Sequence, residues 1–256
     1  MFIDTHTHLQ FESFDEDREL VIQRAIKNDV DTVITIGTDL ESSSQALDLA
    51  KKFAIVFASV GIHPNDCENT TDGDIEQIAK MAQTDKAIAI GEIGLDYYRQ
   101  YTSKKKQQSV LRKQIQIARE LGLPIIIHNR DAHEDIYSVL KEEKAEEISG
   151  VFHSFFGEIE FLESILALNY HVSFTGPVTF KNANYNKLIE CVPTEQLLLE
   201  TDSPFLAPVP FRGKRNEPSY VRYIAEKIAQ VKGITTDKLA EITSENAKNL
   251  FRLNGK

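Results

Sequence analysis

Eight short, almost continuously apolar runs recur along the chain, each followed by a longer polar or amphipathic stretch. This alternation constrains the fold more than any other feature. The runs are "FIDTH" (2–6), "TVITIG" (32–37), "IVFASVG" (55–61), "AIAIGEIG" (87–94), "PIIIHN" (124–129), "GVFHSF" (150–155), "HVSFTG" (171–176) and "LLLETD" (197–202). They are rich in β-branched residues and lack in–out alternation, as expected of parallel strands covered on both faces. The stretches between them have helical spacing. "DEDRELVIQRAIKNDV" repeats Leu20, Ile22, Ala25 and Ile26, and "SKKKQQSVLRKQIQIARELG" sets Val110, Leu111, Ile115, Ile117, Ala118 and Leu121 on one face before Gly122. "GEIEFLESILALN", "EPSYVRYIAEKIAQVKG" and "TDKLAEITSENAKNLFRL" read the same way, the second with Pro218 near its start and Gly233 past its end. Eight β-then-α units predict one (β/α)8 TIM-type barrel over residues 1–256. An open doubly wound sheet is the runner-up. Its first loop would usually carry GxGxxG, and the chain has none.

The length of 256 residues suits such a barrel as a single domain. No run approaches the roughly 18 apolar residues of a membrane span, and the early Asp4 is unlike a signal peptide. Two distant cysteines, Cys67 and Cys191, make no disulfide framework and fit a reducing cytoplasm. The net charge of −10 argues against a protein that coats nucleic acid, but not against an enzyme whose bound metals meet a phosphate locally.

Ligand-type side chains collect at the predicted strand ends. His6 and His8 end strand one, Glu92 strand four, His128 strand five, His153 strand six and Asp202 strand eight. In a barrel these ends form one rim, where active sites are built. His6 and His8 are two residues apart on a strand and so point to one side. Any of the six alone reads as an ordinary core, rim or capping residue. Together they exceed what one tetrahedral ion needs, and suit two divalent ions sharing Glu92 as a bridge. Mixed nitrogen and oxygen donors fit Zn²⁺, Mn²⁺ or Ni²⁺, with Mg²⁺ less at ease beside imidazole.

The other histidines and cations carry weaker signals. His63, in "GIHP", lies on the same rim as a substrate contact or a turn-fixing residue. Arg130 suits either a phosphate clamp or a salt bridge to a rim acid. His133 reads as a solvated helix residue, and His171, on the opposite rim, as structural. Arg212, Lys214, Arg215 and Asn216 follow strand eight and could hold a nucleic-acid backbone or simply be solvated. Lys104, Lys105 and Lys106 oppose the dipole at a helix start, so something else must favour them, a DNA contact being one option.

The stretches "IDTHTHL", "GIHP", "GEIGLDYY", "PIIIHNRDA", "FHSFFG", "LLETDSPFLAP" and "GKRNEPSYV" resemble the TatD family of metal-dependent deoxyribonucleases, among the amidohydrolase-like barrels. They span residues 3 to 221. The resemblance implies the same six metal ligands, with DNA as substrate. It also implies a 3′-to-5′ exonuclease activity, on what would be single-stranded ends. The expected mechanism has two ions, one held by His6, His8 and Asp202, the other by His128 and His153, with Glu92 between them. Asp202 would orient the attacking water and take its proton. His63, Arg130, Arg215 and Asn216 would contact substrate. No obligate protein partner or membrane is implied.

Three other readings compete with this one. A small-molecule amidohydrolase would often carry a carboxylated Lys where this chain has Glu92, and the nearest Lys, Lys86, precedes the strand. A phosphoesterase class opening with HxHxH would need a third histidine where Gln10 stands. A non-enzymatic metal scaffold is disfavoured because structural metal sites are usually closed.

Overall fold

A computed structural model describes residues 1–99 and 101–254. Its eight strands form one parallel sheet in chain order, β1 (Phe2–Thr7), β2 (Val30–Ile36), β3 (Val56–Val60), β4 (Ala87–Asp96), β5 (Ile125–Arg130), β6 (Gly150–Phe152), β7 (His171–Phe174) and β8 (Leu197–Leu199). The helices between them are α1 (Arg18–Lys27), α2 (Leu40–Lys52), α3 (Asp72–Met81), α4 (Lys104–Leu121), α5 (His133–Glu142), α6 (Ile159–Ala167), α7 (Asn186–Cys191) and α8 (Val221–Lys232); α9 (Thr236–Leu250) follows. This is the expected TIM-type barrel.

Local chemistry sets the helix ends. Asp39 and Ser42 form a capping box on α2, and Thr71 and Asp74 another on α3. Ser103 caps α4, whose last turn ends on Gly122 in the left-handed region. In α1 the spacing misled in part. Val21, Ile22 and Ala25 are buried, whereas Leu20 and Ile26 face solvent.

The barrel closes where β8 meets β1, and side chains make much of that seam. Asp4 accepts from the Thr201 amide at 2.9 Å and its hydroxyl at 2.6 Å, and Thr5 donates to the Leu199 carbonyl at 3.0 Å. Beyond the last β8 residue the Asp202 amide donates to the His6 carbonyl at 2.9 Å, and the His8 amide to that of Ser203 at 2.7 Å. These bonds tie the segment carrying Asp202 to the one carrying both histidines. Ile3, Ile34, Ile36, Ile88, Ile126 and Leu198 pack as one inner cluster with Leu250 and Phe251 at the end of the chain's last helix.

Candidate metal centre

His6 lies on β1, and His8 follows it directly. The His8 Nδ1 is 2.9 Å from the Ile36 carbonyl. A carbonyl only accepts, so Nδ1 carries the proton and Nε2 keeps its lone pair. That Nε2 is 3.4 Å from the His6 Nε2. Glu92 Oε2 stands 3.4 Å from His6 and 3.9 Å from His8, and Asp202 Oδ1 stands 3.7 and 3.5 Å from them. Four donors around an ion at about 2.0–2.2 Å would be separated by about 3.3–3.6 Å in a tetrahedron. The spacings are those of a slightly open cage with room for an ion.

The other oxygen of Glu92 faces a second set. Its Oε1 is 2.7 Å from His153 Nε2 and 2.8 Å from His128 Nδ1, and those two nitrogens are 3.4 Å apart. Glu92 thus presents one carboxylate oxygen to each group of imidazoles. It does so from within β4, four residues before its end, where the pairing with β5 shifts register between Ile90 and Ile93. His153 and Asp202 stand beyond the ends of β6 and β8. Gly94 lets β4 approach β5 at this point. Its φ is +149°, and a Cβ there would lie 1.9 Å from the His128 carbonyl oxygen.

Two carboxylates that sequence reasoning missed stand behind these imidazoles. Asp96 Oδ2 is 3.2 Å from His128 Nε2, and Asp96 is fixed by the side chain of Asn65 and the backbone amides of Tyr98 and Arg99. Glu200 Oε1 is 3.5 Å from His153 Nδ1, an ionic contact longer than a good hydrogen bond. Glu200 is completely buried and accepts from the Ser154 amide at 2.6 Å and the Ser173 hydroxyl at 2.7 Å. A carboxylate behind a ligating imidazole orients it and raises its basicity. The signal was present in "GLD" and "LLE", two acids at strand ends, but the sequence does not show which way they turn.

Protonation follows from this crowding. Burial pushes the Glu92 carboxyl up, but His153, His63 and His128 outweigh it and hold Glu92 well below the usual carboxylate range. Burial likewise opposes the ionised form of Asp202, and His8, His6 and His153 overcome it, leaving its pKa lowered. Burial lowers His6, with His153 adding to the effect. In His8 burial is outweighed by Asp202 and Glu92, which raise it. Buried ionised carboxylates among imidazoles, with ring nitrogens meeting in pairs 3.4 Å apart, fit divalent cations. Behind them Asp4 is pushed up to about 8 by burial, against the bonds from Thr201.

His63 also reaches the site, with its Nε2 3.6 Å from Glu92 Oε1. His63, Glu92 and His128 could be grouped as a further ligand set. The ring argues otherwise. Its Nδ1 accepts from the Asn65 amide at 3.1 Å, so in the neutral ring Nε2 carries the proton and donates into the cleft. Burial, then the neighbouring His128, push His63 down to about 3, so the neutral ring is the working form.

Arg130 lines the same cleft of about 450 Å³, with Arg99. Its guanidinium lies 4.0 Å from the Tyr98 ring centre. The structure does not bring Arg215 or Asn216 to the cleft. Arg215 is engaged with Asp17 and the Ser13 carbonyl, and Asp17 also pairs with Arg24, itself bound to Glu217. Asn216 is completely buried and donates to the Thr201 carbonyl at 2.9 Å and the Phe205 carbonyl at 2.7 Å. It holds the loop after β8. Arg212 packs over Phe180. The lysines at the α4 start have local partners, Lys106 the Thr70 carbonyl and Lys104 the Tyr97 ring. His133 is half-buried against Phe161, because the segment after β6 folds over it. His171 lies at the opposite end of the barrel.

The TatD related DNase family matches the chain over residues 3–252. The chain belongs to the TatD family. It is 46% identical over 255 residues to a Bacillus subtilis protein named as the uncharacterized metal-dependent hydrolase YabD, covering 99% of this chain and 100% of that one. It is 34% identical to the 3′-5′ ssDNA/RNA exonuclease TatD of Pectobacterium parmentieri, across 98% of this chain and 99% of that one. The crystal structure of YJJV, a TatD homolog from Escherichia coli K12, superimposes with a TM-score of 0.92 at 30% identity, covering 98% of each chain. The TatD match makes this chain a metal-dependent hydrolase by family, and no helix among the described residues is long and apolar enough to cross a membrane.

Proposed function

We propose that this chain, acting as one domain over residues 1–256, is a divalent-metal-dependent phosphodiesterase. It would shorten single-stranded DNA from its 3′ end, in the cytoplasm. The observation that carries the reading is the division of Glu92 between two imidazole groups, one carboxylate oxygen to each. The donor groups fit two divalent ions, one held by His6, His8 and Asp202, the other by His128 and His153, with Glu92 shared. When bound, such ions supply Lewis acidity and lower the pKa of water toward about 7. The Pectobacterium relative, by its name, acts on single strands from the 3′ end. Two free cysteines fit a reducing compartment.

The chain's own groups then divide the work. Asp202 is kept ionised at the cleft and accepts the proton of the attacking water. Water oxygen bonds to phosphorus, the P–O3′ bond breaks, and the leaving oxygen takes up a proton. The His63 Nε2–H donates to a non-bridging phosphate oxygen. Arg130 and Arg99, at the mouth, balance phosphate charge. Asp96 and Glu200 keep the His128 and His153 rings turned to Glu92. Incubation of the protein with a 5′-labelled oligonucleotide and Mn²⁺ should give a ladder of shorter strands that EDTA abolishes. Intact strands, with a lactone or cyclic amide hydrolysed instead, would refute the reading.

A further inference from the structure

The side chains around the cleft mouth divide by chemistry. On the side where β8 meets β1, Phe11 and Phe205 form an aromatic wall. The Phe11 ring lies flat on His8, 4.6 Å between centres and 11° between planes, and Phe205 meets Phe11 nearly edge-on at 6.2 Å and 72°. Phe205 is 50% exposed and lines the cleft. Its backbone is held by buried Asn216, which donates to the Phe205 carbonyl. Across the barrel, the loop after β4 supplies Arg99 and the end of β5 supplies Arg130. Behind the aromatic wall lies a second depression of about 670 Å³, lined by Glu12, Asp15, Asp39 and Glu41. Asp15 is paired with Arg18. Among the described residues, no salt bridge neutralises Glu12, Asp39 or Glu41.

We propose that Phe205, braced by Phe11, stacks on the base of the terminal nucleotide of a single strand, and that the acidic trough behind it turns away any continuing chain. The inference rests on the strand-shortening activity proposed above. A nucleobase is uncharged and has two π-faces, so it suits a half-exposed phenyl ring. The strand's phosphates suit the arginine side. A chain running on past Phe205 would bring its next phosphate toward three carboxylates that no cation neutralises, a repulsion felt over about a Debye length of 8–10 Å. A free end avoids that repulsion, so this wall selects ends over interior positions.

The test compares two 5′-labelled oligonucleotides that differ only in the 3′-terminal nucleotide, natural in one and abasic in the other. Removal of that residue is followed as kcat/KM for the native protein, Phe205→Ala and Phe205→Tyr. The native protein should prefer the natural end by about 5- to 150-fold, the range that base–aromatic stacking supplies. Phe205→Ala should bring the preference to about unity, and Phe205→Tyr should restore most of it. Because Phe205 is half exposed, the alanine variant should fold, which circular dichroism checks. An unchanged preference in Phe205→Ala, or no preference in the native protein, overturns the proposal. A native protein that shortens neither strand refutes the activity itself and this proposal with it.

Discussion

Replacing Glu200 tests whether the carboxylates behind the imidazoles tune the centre or merely accept hydrogen bonds. Glu200 is fully buried and has three neighbours, the Ser154 amide at 2.6 Å, the Ser173 hydroxyl at 2.7 Å and His153 Nδ1 at 3.5 Å. In Glu200→Gln the amide oxygen can keep the Ser154 bond. The new NH2 can donate to the Ser173 hydroxyl, which rotates to accept. No buried bond need be lost, so the fold should stand. What disappears is the negative charge behind His153. Loss of such an outer partner typically weakens metal binding about 10- to 100-fold, or about 1.4–2.7 kcal/mol. Glu200→Ala, in contrast, strands the Ser154 N–H and the Ser173 hydroxyl. At about 1–3 kcal/mol for each of these two unsatisfied groups, it should lose about 2–6 kcal/mol of stability. Mn²⁺ titration calorimetry and urea unfolding, run in parallel, separate the two effects. The glutamine variant should bind one ion 10- to 100-fold more weakly with its urea midpoint nearly unchanged. Native-like metal affinity in Glu200→Gln would leave Glu200 as a structural acceptor with no influence on the centre.

Two further outcomes follow from the geometry. Glu92→Ala removes the group shared by both imidazole sets, so turnover should fall at least about 100-fold while circular dichroism shows the fold retained; full activity would end the bridging assignment. Arg215→Ala should affect stability. Arg215 and then Arg24 lower Asp17 from 3.8 to about 2, so this ion pairing contributes fully above about pH 4 and is lost as the pH falls to about 2. All these groups are partly exposed, so the variant should be at most about 1 kcal/mol less stable near neutral pH, with the difference vanishing toward pH 2 in urea titrations. A difference persisting at pH 2, or loss of strand binding, would contradict this placement.

The barrel was legible because parallel strands covered on both faces must be apolar throughout, and each of the eight runs overlaps one observed strand. Strand ends were less legible. β8 stops at Leu199 because the Asp4 side chain takes over the pairing with Thr201, a contact across 197 positions that no local pattern shows. The six candidate ligands could be picked out because each is a donor beside an apolar run. Asp96 and Glu200 were equally well placed in sequence, but only the fold shows that they face the backs of His128 and His153. Cations misled more. Arg215 lies in a loop that looked free to meet a backbone, yet Asp17, 198 positions away, claims it. The aromatic wall was invisible because Phe11 and Phe205 come from opposite ends of the chain and meet only when β1 closes on β8.

Metal-dependent hydrolysis of single-stranded DNA at this rim is the proposed activity. It is tested most directly by titrating Mn²⁺ into metal-free protein, and measuring bound ion per chain and strand shortening in the same samples. Shortening should rise with occupancy, reach its maximum when two ions are bound, and disappear on chelation. Two bound ions beside an intact oligonucleotide, or full cleavage with none bound, would contradict it.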